Sequence, residues 1–249
     1  MRRKLYISDL VLEVTRRCNM SCAHCCRGDA QNCDITHKVI DDAFANLSGI
    51  GSLVFTGGEP SLNVDAIEYA LEVCERNDIS VSSFYIVTNG KCEDKTRYEQ
   101  FILACMRWYA YCDDGDVCGV ALSKDIFHDE ATTYAENLLT GLSFFRPEDK
   151  KVNWDGRYAA LADQGRAKEL AGYVKRDIEL TWQNHDFEAY NDEICVYDGI
   201  VYVNVRGEVL PECDISYETQ EECECKQENM AAAIVFFERA ATDQNFKIA

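Results

Sequence analysis

Short apolar runs alternate with amphipathic segments over the first 145 residues of the chain. Each amphipathic segment repeats its apolar residues every three or four positions, which is the spacing of one helical face. The alternation of a strand with such a helix is typical of βα units built around a parallel sheet. Four strands are predicted at residues 10–15, 52–56, 81–87 and 117–123, and the helices that follow them at residues 37–47, 64–74, 95–111 and 129–142. We expect Gly49 and Gly51 to end the first of these helices.

The remainder of the chain shows a weaker pattern. Residues 144–147 or 151–154 can supply a fifth strand, and residues 157–162 can form a helix or, as we prefer, a strand. A β-hairpin is clear at residues 199–211, where two apolar strands flank the turn Arg206-Gly207. An acidic segment that contains cysteines and then an alanine-rich helix follow the hairpin, at residues 218–228 and 229–242.

Polar motifs stand directly after the predicted strands. Three cysteines follow the first strand, the sequence Thr-Gly-Gly-Glu-Pro ends the second at Pro60, and Asn89 closes the third. Ser123 and Asp125 end the fourth. Because the carboxyl ends of parallel strands meet at one edge of a sheet or barrel, we expect these residues to share one site.

The cysteines have a C-x3-C-x2-C spacing, at Cys18, Cys22 and Cys25. A loop this short can turn three thiolates toward one point. Four thiolates would saturate an iron–sulfur cubane, whereas three leave one iron open to a small molecule. The alternative is a zinc site, in which the fourth ligand is His24, Cys26 or Cys33. We disfavour zinc because no second cysteine knuckle follows at finger-like spacing.

The cysteine spacing and the sequence Gly57-Gly58-Glu59-Pro60 together resemble the radical S-adenosylmethionine (radical SAM) superfamily. The resemblance implies that Cys18, Cys22 and Cys25 hold a [4Fe–4S] cluster whose open iron binds S-adenosyl-L-methionine (SAM). Reductive cleavage of SAM then gives a 5′-deoxyadenosyl radical, which abstracts hydrogen from a substrate. An electron donor such as flavodoxin or ferredoxin is implied as a partner.

The same resemblance suggests which residues contact SAM. The two glycines allow the backbone to approach a ligand closely, and Glu59 can bind the ammonium group. Arg166 lies in a Gly-Arg-Ala sequence that resembles the end of the last barrel strand in this superfamily, and it can pair with the SAM carboxylate. An ordinary Gly-Gly turn and a solvated loop arginine are the alternatives. The candidate contacts are His24, Gly57, Gly58, Glu59, Asn89, Ser123, Asp125 and Arg166.

The implied architecture is an α/β fold, in which residues 1–182 form a partial (β/α)6 TIM-like barrel. Residues 183–249 are then a small extension of β-hairpin and helix that carries further cysteines. Cys195 and Cys213 flank the hairpin, which resembles the start of the SPASM or twitch extensions that bind an auxiliary iron–sulfur cluster. Gly207 stands one residue further from Cys213 than in that pattern, and only a C-x-C follows, at Cys223 and Cys225. An auxiliary cluster, structural zinc and free thiols therefore all stay open.

The composition of the chain limits the classes of molecule that it can bind. The formal charge of −19 argues against nucleic acid, whose phosphates need clustered Lys and Arg, and leaves small molecules or a basic peptide as substrates. Fourteen cysteines are many for a reducing compartment, where disulfides seldom persist, so metal ligation better explains the clustered ones. With no signal peptide and no uncharged run long enough to span a membrane, we expect a cytoplasmic protein.

The function that follows is a radical SAM enzyme acting on a peptide or a small metabolite. A compact enzyme of the deazaguanine-synthase type is an alternative within the same superfamily, although the cysteine-flanked hairpin has no obvious use there. From another class, the chain can be a non-catalytic iron–sulfur or zinc protein. The glycine-rich stretch argues against that, because an electron carrier needs no SAM pocket.

Overall fold

The computed structural model describes residues 3–124, 127–128, 131–147 and 160–248. The strands in these residues are β1 (Lys4–Thr15), β2 (Leu47–Gly57), β3 (Ser80–Thr88), β4 (Gly119–Leu122), β5 (Phe145–Pro147), β6 (Leu161–Ala162), β7 (Lys175–Arg176), β8 (Asp186–Tyr190), β9 (Glu193–Tyr197), β10 (Val201–Val203) and β11 (Val209–Leu210). The α-helices are α1 (His37–Phe44), α2 (Val64–Asn77), α3 (Lys95–Tyr111), α4 (Thr133–Thr140), α5 (Tyr217–Glu222) and α6 (Met230–Thr242).

Strands β1 to β5 pair in chain order, each parallel to the next. Helices α1 to α4 connect them, and each βα unit repeats the predicted alternation. The strands are rich in fully buried aliphatic residues, as parallel strands covered on both faces must be. The predicted α/β architecture with a parallel sheet is thus confirmed, and this strand order agrees with a partial TIM-like barrel.

The boundary between α1 and β2 differs from the prediction. Gly49 and Gly51 were expected to end the helix, but α1 already ends at Phe44 and both glycines lie within β2. A Cβ atom at Gly49 would lie 2.7 Å from the hydroxyl of Ser80, and one at Gly51 would lie 2.6 Å from the carbonyl oxygen of Ser8. The glycines are therefore required by close packing inside the sheet rather than by a helix end.

The weaker part of the pattern is only partly described. The fifth strand lies at Phe145–Pro147, whereas residues 151–154 are outside the described residues. Of the segment 157–162, the last two residues form β6, which pairs with β7 in a separate two-stranded sheet.

The C-terminal extension completes the sheet on the far side of β1. The predicted hairpin is present as β10 and β11, and a second hairpin, β8 and β9, precedes it without having been predicted. Strand β9 runs parallel to the first half of β1, and β10 runs parallel to its second half. The extension thereby covers a strand edge that would otherwise expose unpaired backbone groups. The division of the chain at residues 182 and 183 stays a proposal, since strands from both parts share one sheet.

No helix in the described part of the chain is long and apolar enough to cross a membrane.

Candidate functional site

A cavity of about 340 Å³ lies at the carboxyl ends of β1 to β4. Most of the residues predicted from the sequence to form a site line this one cavity. They are Cys18, Cys22, His24, Cys25, Gly57, Gly58, Glu59, Asn89, Ser123 and Arg166. Asp125 lies outside the described residues.

The cysteine loop, residues 18–25, is joined to the glycine-rich stretch by backbone hydrogen bonds. The amide of Gly58 donates to the carbonyl of Thr15 at 2.8 Å, and the amide of Glu59 donates to the carbonyl of Arg17 at 2.8 Å. Parallel pairing of β1 and β2 brings their carboxyl ends side by side, so the motifs that follow them meet. The predicted shared site is therefore a consequence of strand register.

Both glycines of this stretch are needed by the protein backbone itself. A Cβ atom at Gly57 would lie 2.1 Å from the carbonyl oxygen of Thr15, and Gly57 has a φ of +151°. A Cβ atom at Gly58 would lie 2.2 Å from the carbonyl oxygen of Arg17. Real Cβ atoms do not approach other atoms this closely. Contact with β1 thus suffices to explain the glycines, whether or not a ligand also approaches them.

Glu59 is buried and links three segments of the site. Its carboxylate accepts hydrogen bonds from the amide of Ser61 (3.1 Å), the hydroxyl of Thr88 (2.7 Å) and the amide of Asn89 (2.8 Å). Burial raises the pKa of Glu59, and these hydrogen bonds oppose that rise. The side chain therefore ties the end of β2 to the end of β3.

Asn89 touches the start of the cysteine loop. Its amide nitrogen lies 3.0 Å from the side-chain oxygen of Asn19 and 4.0 Å from the sulfur of Cys18. Lys91 donates from Nζ to the carbonyl of Asn19 at 2.9 Å. Ser123 follows β4 and also lines the cavity, and its amide donates to the carbonyl of Thr88 at 2.9 Å. The ends of three strands thus meet at the cavity.

Arg166 holds the other end of the cysteine loop. Its Nε donates to the carbonyl of Cys22 at 3.0 Å, and its Nη1 contacts the carbonyl of Gly28 at 2.6 Å and the carboxylate of Asp29 at 2.7 Å. Its own amide donates to the carbonyl of Cys25 at 3.0 Å. The arginine is therefore engaged with the loop backbone, which excludes the alternative of a solvated loop arginine.

His24 packs in an aromatic cluster. Its ring lies 4.5 Å from that of Phe127 and 4.9 Å from that of His128, measured between ring centroids. An aromatic residue at this position therefore has a packing role next to the cavity.

The three cysteines are partly buried and line one cavity, and three thiols are a donor set that iron–sulfur clusters use. Burial raises the pKa of Cys18 to about 11. A metal that binds there must displace the proton, because thiolates are the ligating form. In the described residues, no group of three or more His, Cys, Asp or Glu side chains is arranged to hold a metal ion.

The cysteines of the extension lie in different places. Cys195 is on β9 opposite Tyr6, near the beginning of β1. Cys213 packs against the cluster that contains Val11 and Tyr202, and the Arg27 guanidinium donates to its carbonyl. In the described residues, Cys195 and Cys213 therefore have different neighbours. Cys223 and Cys225 do meet, with their sulfurs 3.4 Å apart.

Sequence reasoning missed a buried polar network that connects β1 with the extension. The guanidinium of Arg16 is fully buried and contacts Glu13 at 3.1 Å, Gln31 at 3.0 Å and Gln220 at 2.6 Å. A glutamate inside an apolar strand was a signal that could have pointed to it. Nothing in the local pattern pointed to Tyr217, although it lines the cavity.

Comparison with known proteins agrees with this geometry. Residues 12–110, which run from β1 into α3, match the family described as the Radical SAM superfamily. This segment is a radical SAM domain. It contains the cysteine loop and the Gly57-Gly58-Glu59 stretch. A radical SAM domain implies an enzyme of that superfamily, and the family implies SAM and a [4Fe–4S] cluster as cofactors.

A curated relative matches only part of the chain. An uncharacterized protein of Methanocaldococcus jannaschii is 38% identical over 71 residues, which are 27% of this chain and 25% of the relative. The chain therefore spans about a quarter of the length of this curated relative.

Two solved structures show remote similarity to this chain. The structure of anSMEcpe with bound AdoMet and a Cp18Cys peptide is 18% identical, covers 57% of this chain and 42% of its own, and has a TM-score of 0.42. Streptococcus suis SuiB bound to the precursor peptide SuiA is 12% identical, covers 96% of this chain and 65% of its own, and also has a TM-score of 0.42.

Proposed function

We propose that the chain is a radical SAM enzyme that holds a [4Fe–4S] cluster through Cys18, Cys22 and Cys25. The observation that supports this is the meeting of these thiols with the Gly57-Gly58-Glu59 stretch in one cavity. A cluster held there would supply the electron for reductive cleavage of SAM, the chemistry from which hydrogen abstraction from a substrate would follow.

The residues around the loop hold its backbone in place. Asn89 and Lys91 contact Asn19 at the start of the loop, whereas Arg166 binds carbonyls at Cys22 and Gly28. The loop backbone is thus held at both ends, and the three thiols must still turn toward one point to receive a cluster. Arg166 is therefore a positioning residue in this proposal, because its Nε and Nη1 are already engaged and leave Nη2 for a SAM carboxylate.

The ammonium group of SAM is assigned to Glu59. A carboxylate offers about four acceptor sites, of which three are filled by protein donors. One remains for a charged donor, which would also favour the ionised carboxylate. Asn89 and Ser123 line the same cavity and are proposed as polar contacts to SAM, as is Asp125.

The proposed substrate is a peptide or a small metabolite. The formal charge of −19 favours a peptide with basic residues, because opposite charges accelerate association. The proposed electron donor is a flavodoxin- or ferredoxin-type protein, and the proposed location is the cytoplasm.

An auxiliary cluster bound by Cys195 and Cys213 is a separate proposal, and in the described residues these two cysteines have different neighbours. A two-stranded hairpin is marginally stable by itself in water, and pairing of β10 with β1 at Leu10, Val11 and Leu12 docks this one on the sheet. A metal role for either cysteine alone, or for the pair Cys223 and Cys225, stays a separate proposal.

The test is anaerobic purification and reconstitution of the wild type, a Cys18/Cys22/Cys25 triple-alanine variant and a Cys26→Ala variant. Cys26 lines the same cavity but lies outside the motif, so it serves as the matched control. We expect wild type and control to carry about four irons and to release 5′-deoxyadenosine from SAM on reduction, and the triple variant to do neither.

Other outcomes would point elsewhere. Zinc in place of iron in the wild type would favour the non-catalytic zinc protein, and cleavage of SAM without iron would contradict the assignment. About four irons left in the triple variant would reveal a second cluster.

A further inference from the structure

Four charged side chains at the cavity differ in how their charge is compensated. Arg166 pairs with Asp29, and Asp214 pairs with Arg176 outside the cavity. Glu59 accepts hydrogen bonds from three neutral donors. The fourth, Arg27, forms no ion pair with any carboxylate in the described part of the chain. It lines the same cavity.

Arg27 is buried, with 7% of its surface exposed. Its Nη1 donates to the carbonyls of Cys213 and Ile215, and its guanidinium lies 5.2 Å from the ring centroid of Tyr202. Both hydrogen bonds use one nitrogen of a group that has five N–H donors. A permanently charged group is thus removed from water with its charge only partly compensated, and such groups are normally paired.

Tyr217 provides an independent observation at the same wall. Its side chain is 3% exposed and lines the cavity, and its hydroxyl is buried without a hydrogen-bond partner in the described residues. The backbone keeps it beside the arginine, since the amide of Tyr217 donates to the carbonyl of Arg27 at 3.1 Å. Buried hydroxyls nearly always have a partner, so this one points to a group that the protein itself does not supply.

We propose that Arg27 and Tyr217 form a subsite that binds a carboxylate group. Both side chains donate hydrogen bonds, and a carboxylate carries the single negative charge that one guanidinium neutralises. This chemistry is present in the methionyl part of SAM and also in a peptide or metabolite substrate. The proposal rests on the proposed function, because it uses the same cavity. The subsite combines a residue that follows the cysteine loop with a residue of the extension.

The test compares ligands that differ only in the carboxylate. SAM is paired with decarboxylated SAM, and N-acetylglycine is paired with N-acetylglycinamide, with dissociation constants measured by calorimetric titration of reconstituted protein without oxygen. The variants are Arg27→Gln and Tyr217→Phe, and the control is Arg206→Gln, an exposed arginine of the extension that pairs with Glu221.

We expect both variants, but not the control, to weaken binding of one carboxylate ligand while its carboxylate-free counterpart is unaffected. The expected loss is about tenfold to a hundredfold for Arg27→Gln, because the lost hydrogen bonds are charge-assisted, and smaller for Tyr217→Phe. Loss for SAM alone identifies the methionyl carboxylate, and loss for N-acetylglycine alone identifies a substrate carboxylate.

The free energy of unfolding of the variants distinguishes a binding role of these residues from a structural role. Because its hydroxyl has no partner, Tyr217→Phe should leave the free energy of unfolding unchanged or higher, and this variant decides the matter if Arg27→Gln does not fold. Two results would overturn the subsite. One is that wild type and Tyr217→Phe bind every carboxylate ligand with equal affinity. The other is that a variant loses equal affinity for the ligands with and without the carboxylate. The N-acetylglycine pair can be titrated without cluster or SAM, so the subsite can fail or succeed independently of the proposed function.

Discussion

Replacing Gly58 with alanine distinguishes two reasons for the glycine-rich stretch. One is the approach of a ligand to the backbone, and the other is the contact of the stretch with the end of β1. The added Cβ atom would lie 2.2 Å from the carbonyl oxygen of Arg17 and 3.0 Å from that of Arg16, and both are backbone atoms that cannot turn away. The two segments must therefore separate.

The size of the effect follows from what this separation breaks. Overpacking in a well-packed region costs about 1–3 kcal/mol. The hydrogen bonds from Gly58 to Thr15 and from Glu59 to Arg17 contribute about 0.5–1.5 kcal/mol each, and both would lengthen. We therefore expect Gly58→Ala to lower the free energy of unfolding by about 2–4 kcal/mol.

The assay is urea denaturation of protein that carries neither cluster nor SAM, followed by circular dichroism. Gly141→Ala is a suitable control, because this glycine ends α4 and the nearest atom to its added Cβ would be 3.3 Å away. If Gly58→Ala matched the wild type in stability but lost SAM binding, the contact with β1 would not be the reason for the glycine, and ligand approach would be.

Two further predictions concern buried polar groups. Arg16→Met should lower the free energy of unfolding by about 3–5 kcal/mol, because it leaves the carboxylate of Glu13 buried without its cation. The control Arg206→Met, at an exposed ion pair, should lower it by less than about 1 kcal/mol. Similar losses for both variants in urea denaturation would contradict this prediction. Burial lowers the pKa of His185, so the folded state favours its neutral form, and stability should fall as the pH drops below about 6.5, the ordinary value for the unfolded chain. His185→Gln should lack that part of the pH dependence, and an unchanged profile would refute it.

Much of the radical SAM segment was predictable because its determinants are local. The N-caps Thr36 and Asp94 and the apolar stripes of α2 and α3 depend on residues a few positions apart. The βα alternation then implies neighbouring parallel strands, and the motifs at their ends must meet. For that reason the pattern of strands and motifs alone was enough to assign the cysteine loop, the glycine-rich stretch, Asn89 and Ser123 to one site. In the structure these residues line one cavity.

Where the prediction was wrong, a distant contact had replaced a local rule. Gly49 and Gly51 looked like helix ends, but neighbouring strands at Ser80 and Ser8 leave no room for a side chain there. The hairpin β8 and β9 was missed because its exposed face is polar and its pairing partner is the first strand of the chain.

The sequence by itself determined the order of βα units and the chemistry at the ends of the strands, because periodicity and short spacings act within one element or one loop. Only the tertiary structure decided why Gly58 must be a glycine, that Arg166 binds the cysteine loop, and that Arg27 and Tyr217 share a wall of the cavity. Those contacts join residues that are far apart in the chain; Arg27 and Cys213, for example, are separated by 186 positions. Contacts at such separations leave no periodic trace, because they depend on how the finished sheet brings distant parts of the chain together.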